Sequence, residues 1–541
     1  MGWLVFIVVP FLNTPTLLSG KGNPIRLLFP AMNVVSSPGK ASTERGLRKT
    51  GSVSQFYYRL TIKLVTKATL MNRITRRSFL KTSAAASALA VNFVPSRVFG
   101  ANDRVRIGVA GINGRGGSHI GAFTGMKNVE IAYLIDPDSR LFEGRARGIE
   151  KKQGKRPECV QDVRKALEDK DLDAVSVATC NHWHSLIGIW ACQAGKDAYI
   201  EKPISHNVYE GRKLVEAAEK YNRIVQHGTQ QRSNSGRANE ILAVQSGKFG
   251  KLLVSKGYCC KPRWSIGTKK TGTPPNGLDF NMWLGPAPEQ PYHGNLVHYN
   301  WHWFWDTGNG DIGNQGVHEM DVARWAIKDA TLPKNVWSIG GRFGYKDQGQ
   351  TANTQMSVCE YDDAILLFET RGLVGKHNIP RAVRNEYYTT EGMITGGKFH
   401  PKNGGKAVGI GSHGGKVQPG GPFGNFIDCV RSRKRENLNA DVLEGHYSAA
   451  LCHLGNISYR MGTPEAFDLK SKKFHKNQQV SDGFEALNDN LRGIGLDLKD
   501  VTYQVGKSLE FDPKTERFTD EGANSMLSRV YRKPFVVPDK V

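Results

Sequence analysis

Residues 104–117 read Arg-Val-Arg-Ile-Gly-Val-Ala-Gly-Ile-Asn-Gly-Arg-Gly-Gly. Val105, Ile107 and Val109 recur with the period of a strand, and the run passes at once into a glycine-rich turn and then, from Ser118, into a helical pattern. Strand, glycine turn and helix in that order is the arrangement that cradles a dinucleotide pyrophosphate. A first glycine makes the turn, a second lets phosphate approach the main chain, and a third lets helix pack on strand. Gly111 and Gly116 fill the first and third places; Asn113 stands in the second, followed by Gly114 and Arg115. Asparagine tolerates a left-handed backbone better than most residues, so the turn is expected to survive while the side chain narrows the approach.

Outward from this turn the pattern repeats. A strand over 129–135 ends in Asp136, twenty residues after Gly116, where an acid hydrogen-bonds an adenine ribose 2′-hydroxyl and repels a 2′-phosphate. NAD is therefore favoured over NADP, although Arg140 nearby acts in the opposite sense. Helices over 162–168, 185–194 and 210–221 alternate with strands over 174–178, 197–200 and 224–228. Such alternation gives a doubly wound parallel sheet, a Rossmann domain over 102–230, with ligands at the carboxyl ends of its strands. Those ends carry Thr179-Cys180-Asn181-His182-Trp183-His184, Glu201-Lys202-Pro203 and Thr229-Gln230-Gln231-Arg232.

Oxidation of an alcohol by nicotinamide needs a group that takes the hydroxyl proton as hydride leaves, and a partly desolvated lysine beside a cationic ring has its pKa lowered toward that task. Lys202 stands where such a group belongs. The glycine turn, Asp136, the 179–184 segment, Gly195-Lys196 and Glu201-Lys202-Pro203 together resemble the N-terminal half of the Gfo/Idh/MocA oxidoreductases, a likeness that runs over residues 103 to about 460. The resemblance implies that Lys202 is catalytic and that the segment from Thr179 to His184 lines the nicotinamide ribose, with Glu201 on the same cofactor wall.

The family's second signature is an Asp-x-x-x-His turn opening a helix, and Gly310 to Asp321 occupies that place. His318 matches the histidine that works with the lysine. Its usual aspartate partner is replaced by Asn314. An amide orients a hydroxyl but cannot take its proton, so the relay is expected to rest on Lys202 and His318, aided by Asp311. A bland alternative makes His318, Asp321 and Arg324 one polar helix stripe. The His182-x-His184 pair lacks a third ligand and reads as cofactor wall, not as a metal site.

From Gly236 onward helices thin out: a helix over 238–246 and a strand over 251–258 precede a Pro/Gly-rich stretch through Pro291, then strands over 336–341, 354–361 and 364–369. This predicts an open, largely antiparallel sheet in a C-terminal α+β domain over 231–484. Residues 425–430 and 440–460 read as helices of that domain, and 485–541 as an extension without an assigned role. The densest aromatic patch, Tyr299-Asn300-Trp301-His302-Trp303-Phe304-Trp305-Asp306, favours a carbohydrate, since ring faces stack on pyranose C–H faces. On an alternating reading Trp301, Trp303 and Trp305 face one way and His302 faces the site; the competing reading has the tryptophans fill the domain junction. Gln230 and Arg232 are further candidates for the substrate wall. The resemblance places substrate between the two domains and uses the outer sheet face for homo-oligomers.

The 541 residues, 39% of them hydrophobic, suffice for two cores. Of the net charge of +24, residues 1–100 carry +13, fourteen Lys and Arg against Glu44 alone. The remaining chain is only mildly basic and has no Arg-rich helix or basic aromatic groove, which excludes nucleic-acid binding as the reading. Eight cysteines lack Cys-x-x-Cys or zinc spacing and read as free core thiols, with Cys259 and Cys260 facing opposite sides of a strand end. Residues 71–101, with Arg76-Arg77-Ser78-Phe79-Leu80-Lys81 before a small apolar run, resemble a twin-arginine export signal, which implies a periplasmic protein loaded with cofactor before export. Met71 is then the expected translation start and residues 1–70 an extension outside the native protein. The apolar run from Gly2 to Leu12 is shorter than the roughly 20 residues that span a bilayer. Three functions fit: a dehydrogenase of a sugar, cyclitol or glycoside; an NAD-retaining glycosidase or epimerase using transient oxidation; and a non-catalytic sugar-binding protein on the same fold.

Overall fold

The computed structural model describes residues 104–466 and 476–541. The twin-arginine segment, Met71 and the extension before it lie outside the described residues. Six strands, β1 (Val105–Ala110), β2 (Val129–Ile135), β3 (Glu158–Val160), β4 (Ala174–Val177), β5 (Asp197–Ile200) and β6 (Val225–His227), form a parallel sheet in the order 3-2-1-4-5-6. The helices between them are α1 (Gly114–Thr124), α2 (Phe142–Gln153), α3 (Val163–Leu167), α4 (Asn181–Gln193) and α5 (Val208–Lys220). Strands β1, β4 and β5 are almost wholly buried because helices cover both faces, as the apolar runs demand. The order reverses between β1 and β4, which opens a crevice at the carboxyl ends.

The second half begins with α6 (Ser235–Gln245) and β7 (Leu252–Cys260). After α7 (Phe280–Leu284) and α8 (Val317–Ala326) come β8 (Asn335–Gly341), β9 (Thr354–Glu360), β10 (Ile365–Arg371) and β11 (Ala382–Thr389). They belong to a twelve-stranded sheet that is antiparallel except where β7 runs beside β10. Its inner face packs on α8 and α10 (Val442–Arg460), through Cys259, Phe368, Met320 and Leu454. Its outer face is covered in part by α11 (Gln478–Gly493), through Val480, Phe484, Leu487 and Leu491. Cys259 and Cys260 are both buried, one in each layer, and all eight cysteines are free thiols.

Three readings of the chain's organisation are corrected. Helix α9 (Gly421–Ser432) does not belong to the second domain: Phe426, Ile427 and Val430 complete the apolar cluster around Val105, Ile107 and Val109 of β1. Helix α10 serves both halves, with Val442 and Ala449 in the nucleotide-domain core and Ala450 to Ile457 against the second sheet. The boundary at 484/485 falls inside α11, and residues 502–505 and 509–512 add strands beside β8. Local periodicity identifies such elements but carries no information on which sheet they return to. Among the described residues no helix is long and apolar enough to cross a membrane.

Candidate active site

The crevice at the switch point holds a cleft of about 290 Å³, open to solvent, lined on one side by Gly111, Asn113, Gly114, Arg115 and Asp136 and on the other by Met282, Trp283, His298, Tyr299, Trp301 and His302. Thr179, His184, Glu201, Lys202 and Asn314 form its floor.

At the glycine turn, Gly111 has φ +80°, and a methyl group there would lie 2.5 Å from the carbonyl oxygen of Ala178. A methyl on Gly116 would lie 1.8 Å from the Gly111 carbonyl oxygen, so the third glycine is what lets α1 start so close to β1. Gly114 has open space around it. Asn113 adopts φ −75°, so its tolerance of left-handed backbone is not used; Gly111 alone makes the bend. Helix α1 has no acidic residue in its first turn and no side-chain cap, which leaves its positive end available to an anion.

Asp136 fastens this turn. It accepts hydrogen bonds from the amides of Ile112 (2.9 Å) and Asp138 (3.0 Å), and burial raises its pKa. Arg140 is committed to Asp138, donating from Nε at 2.7 Å, and His298 contacts the same carboxylate at 2.8 Å. The arginine that weighed toward NADP is thus already paired. These features, an uncapped helix start facing a space that a Cβ at position 114 would begin to fill and an acid at the end of β2, fit an NAD molecule.

Glu201 follows β5 and is 3% exposed. It accepts from Arg115 Nε at 2.7 Å and contacts His119 Nε2 at 3.1 Å, while its other oxygen accepts from the Lys202 amide at 3.2 Å. Burial opposes its charge, but His119, Arg115 and Lys202 outweigh that and hold the carboxyl well below the usual range. Sequence reasoning missed His119, which lies one helical turn after Arg115 on α1, the spacing at which two side chains share a face. Its other nitrogen meets Ser176 Oγ at 2.8 Å.

The Lys202 ammonium donates to the Asn314 main-chain carbonyl and lies 3.4 Å from that residue's amide oxygen. Burial lowers its pKa, with Glu201 and Asp311 opposing the shift. Asn314 sits in a π-turn, Ile312–Gly316, that leads into α8. His318, on the first turn of α8, is half-buried; burial and the Lys202 charge push its pKa down to about 3, so the imidazole is neutral.

Several expected site residues stand elsewhere. Asp311 is buried behind Asn314, paired with Arg263 at 2.7 Å and receiving the Asn314 amide at 3.3 Å, so it braces the floor without facing the cleft. Arg232 bonds Asp321 at 2.9 Å and Glu444 at 3.0 Å and lies over Trp325; it ties α8 to α10 and forms no part of the lining. Gln230 also lies off the lining, 3.4 Å from Glu201. Gly116 is a packing position and His318 a neighbour of Lys202 outside the lining.

The aromatic patch is not an alternating strand. Asn300–Trp303 is a single 3₁₀ turn, in which Trp301 and His302 stack at 3.6 Å and both reach the cleft. Tyr299, 56% exposed, leans on His302 at the mouth. Trp303 packs under Arg263, and Trp305 under Arg460. His182 and His184 start α4, and each has both ring nitrogens against carbonyl oxygens: Trp283 and Thr307 for His182, Pro203 and Thr179 for His184. These bonds fix the His184 ring in the cleft floor, while His182 stands behind the lining.

Residues 105–229 match the profile of an oxidoreductase family described by its NAD-binding Rossmann fold, and residues 243–364 match the C-terminal alpha/beta domain of the same family. A glycosyl hydrolase family 109 protein of Shewanella baltica is 28% identical over 225 residues, 36% of this chain and 48% of that protein. An alpha-N-acetylgalactosaminidase of Shewanella oneidensis is 27% identical over 171 residues, 30% of this chain and 36% of that protein. The chain thus spans about half or less of the length of these curated relatives. Among solved structures, a levoglucosan dehydrogenase in complex with NADH is similar at 17% identity and a TM-score of 0.48, over 65% of this chain and 95% of that one.

Proposed function

From a chain that belongs, through residues 105–229 and 243–364, to the Gfo/Idh/MocA oxidoreductases, we propose that it transfers hydride at a secondary alcohol of a sugar, cyclitol or glycoside, with Lys202 as the acid-base group. The carrying observation is the position of Lys202: a lysine whose pKa burial lowers, on the floor of the cleft that the glycine turn opens, between Glu201 and Asn314.

The start of α1, Asp136, Thr179 and His184 are the residues that would hold NAD, which when bound would supply the hydride acceptor. Neutral Lys202 takes the hydroxyl proton as the C–H pair leaves, and in the reverse direction the ammonium returns it. Asn314 holds Lys202 through its main-chain carbonyl and presents an amide to the substrate hydroxyl. His318, neutral and beside Lys202 but outside the cleft lining, acts on the lysine's surroundings without contacting substrate. Tyr299, Trp301 and His302 supply the ring faces on which a pyranose stacks.

A second reading is favoured by the names of the curated relatives. A carbonyl formed transiently would acidify the adjacent C–H. Loss of that proton to a base would expel the glycosidic oxygen from the next carbon, water would add back across the double bond, and return of the hydride to the carbonyl would complete cleavage with no net redox change. Return of the proton to the opposite face would instead give epimerisation. Export through the twin-arginine segment, by which the protein would act in the periplasm, favours a retained cofactor. The deciding experiment is a panel of polyols and glycosides followed at once by nicotinamide absorbance and product analysis. Stoichiometric NADH indicates net oxidation; cleavage without net absorbance change indicates the second reading; no turnover of any of them removes both.

A further inference from the structure

Residues 528–541, to which the sequence assigns no role, cross from the second domain onto the nucleotide domain. Arg529 donates to the Asp306 carbonyl at 2.9 Å, and the Tyr531 hydroxyl receives the Asn207 amide at 3.3 Å. Phe535 and Val537 are each 2% exposed within the nucleotide-domain core. The Phe535 ring stands edge-on to Trp183 at 5.4 Å and lies under the guanidinium of Arg532 at 5.1 Å.

Among the described residues Arg532 makes no ion pair. Its Nε donates to the Gly285 carbonyl at 3.0 Å, and its terminal nitrogens donate to the carbonyl (2.6 Å) and amide oxygen (2.5 Å) of Asn281. All three acceptors belong to α7 or its C-terminal cap: the Gly285 carbonyl, the Asn281 side-chain oxygen, and the Asn281 carbonyl, which also accepts the Gly285 amide at 3.1 Å. Met282 and Trp283 of α7 wall the nucleotide cleft, and Trp183, which Phe535 supports, donates to the Trp283 carbonyl at 3.1 Å. At its other end the same wall is already fastened to the nucleotide domain: Ser139 and Asp279 exchange main-chain bonds with Gly277 and Pro137, each 2.9 Å, and His298 meets Asp138. Arg532 and Phe535 close the end nearer Trp183.

We propose that Arg532 and Phe535 are positioning residues that hold the 277–285 wall against NAD, so that the nucleotide leaves slowly and is retained between turnovers. The cleft-facing groups stay in register only while α7 is pinned, because the helix is five residues long and cannot hold itself. A retained nucleotide must recover its oxidation state on the same substrate or its product. That last consequence rests on the hydride-transfer reading, whereas the retention does not.

The test is nucleotide release from the full-length purified protein without sugar, followed as loss of NADH fluorescence on mixing with excess NAD. Arg532→Ala is expected to speed release about 10-fold or more with an unchanged thermal midpoint; Arg532→Lys, which keeps one donor set, is expected to fall between. Phe535→Leu, which keeps the core apolar, is expected to speed release by a smaller factor. Should Arg532→Ala fail to fold, Asn281→Ala, which removes one acceptor from the wall side, must still speed release. Val530→Ala, at a residue 90% exposed on the same segment, is expected to leave it unchanged. Wild-type release rates in the folded Arg532→Ala or Asn281→Ala protein, or equal acceleration by Val530→Ala, would overturn the proposal. Lys202→Ala is expected to abolish turnover without altering release, so failure of the catalytic reading and failure of retention are separately visible.

Discussion

The Lys202 ammonium and the Asn314 amide oxygen lie 3.4 Å apart, with the Asn314 main-chain carbonyl accepting a further hydrogen bond from the same nitrogen. A neutral amide at this place adds no charge, so burial governs the lysine. An Asn314→Asp substitution puts a carboxylate within Coulombic reach and raises the Lys202 pKa. Alcohol oxidation needs the neutral amine, so its rate climbs with pH toward that pKa. The midpoint of the climb is expected to lie below 10.5, the ordinary lysine value, and to move up by about one pH unit or more in Asn314→Asp. A pH–rate profile of both proteins checks this, and a downward move would contradict it.

Glu201 is ionised inside the protein, held by Arg115 and His119. Because its folded-state pKa lies below the ordinary 4.5, the stability it contributes is present in full above that pH and is lost as pH falls through the folded value. Glu201→Gln is expected to lower stability at neutral pH, by less than the loss of a fully buried pair because Arg115 is 42% exposed and Gln still accepts its hydrogen bond, and to flatten the acid side of the stability curve. Urea unfolding at several pH values measures both.

The two glycines at positions 114 and 116 separate folding from binding. Gly116→Ala forces a methyl into the Gly111 carbonyl and is expected to cost about 1–3 kcal/mol. Gly114→Ala meets open space, so its thermal midpoint is expected to stay at the wild-type value while NAD binding weakens. Thermal melts with and without NAD distinguish the two. An equal loss of stability in both would show that the turn does not have this shape.

Asp136 accepts two main-chain amides and lines the cleft. Asp136→Ala is expected to weaken NAD about 10-fold, the equivalent of one hydrogen bond of about 1.4 kcal/mol, and to narrow the preference for NAD over NADP. Titration calorimetry with both nucleotides reads the two effects together.

Much of this site is legible in the sequence because its signals are local. The turn from Gly111 to Gly116, Asp136 at a strand end and Lys202 at another are each fixed by a few neighbours and by the rule that parallel strands present ligands at their carboxyl ends. What was not legible is long-range. Arg232 looks like a pocket residue beside β6 until Asp321 and Glu444 claim it, and Asp311 looks like a proton acceptor until Arg263 pairs with it. The Trp301 region alternates as a strand would, yet closes as one 3₁₀ turn. Helix α9 has a second-domain address in sequence and a nucleotide-domain one in space, through Phe426 and Val430. The partners that decided the Arg232, Asp311 and α9 cases lie from 48 to more than 300 residues away in sequence, whereas the 3₁₀ turn is a local alternative that period-2 spacing does not exclude.

In the proposed reaction Lys202 is the group that moves the proton. The most direct test is turnover of Lys202→Ala loaded with NAD, on whichever polyol or glycoside the wild-type protein converts, with nucleotide occupancy measured on the same sample. The expected result is full occupancy with a loss of at least about 100-fold in turnover. Near-wild-type turnover at full occupancy would contradict it.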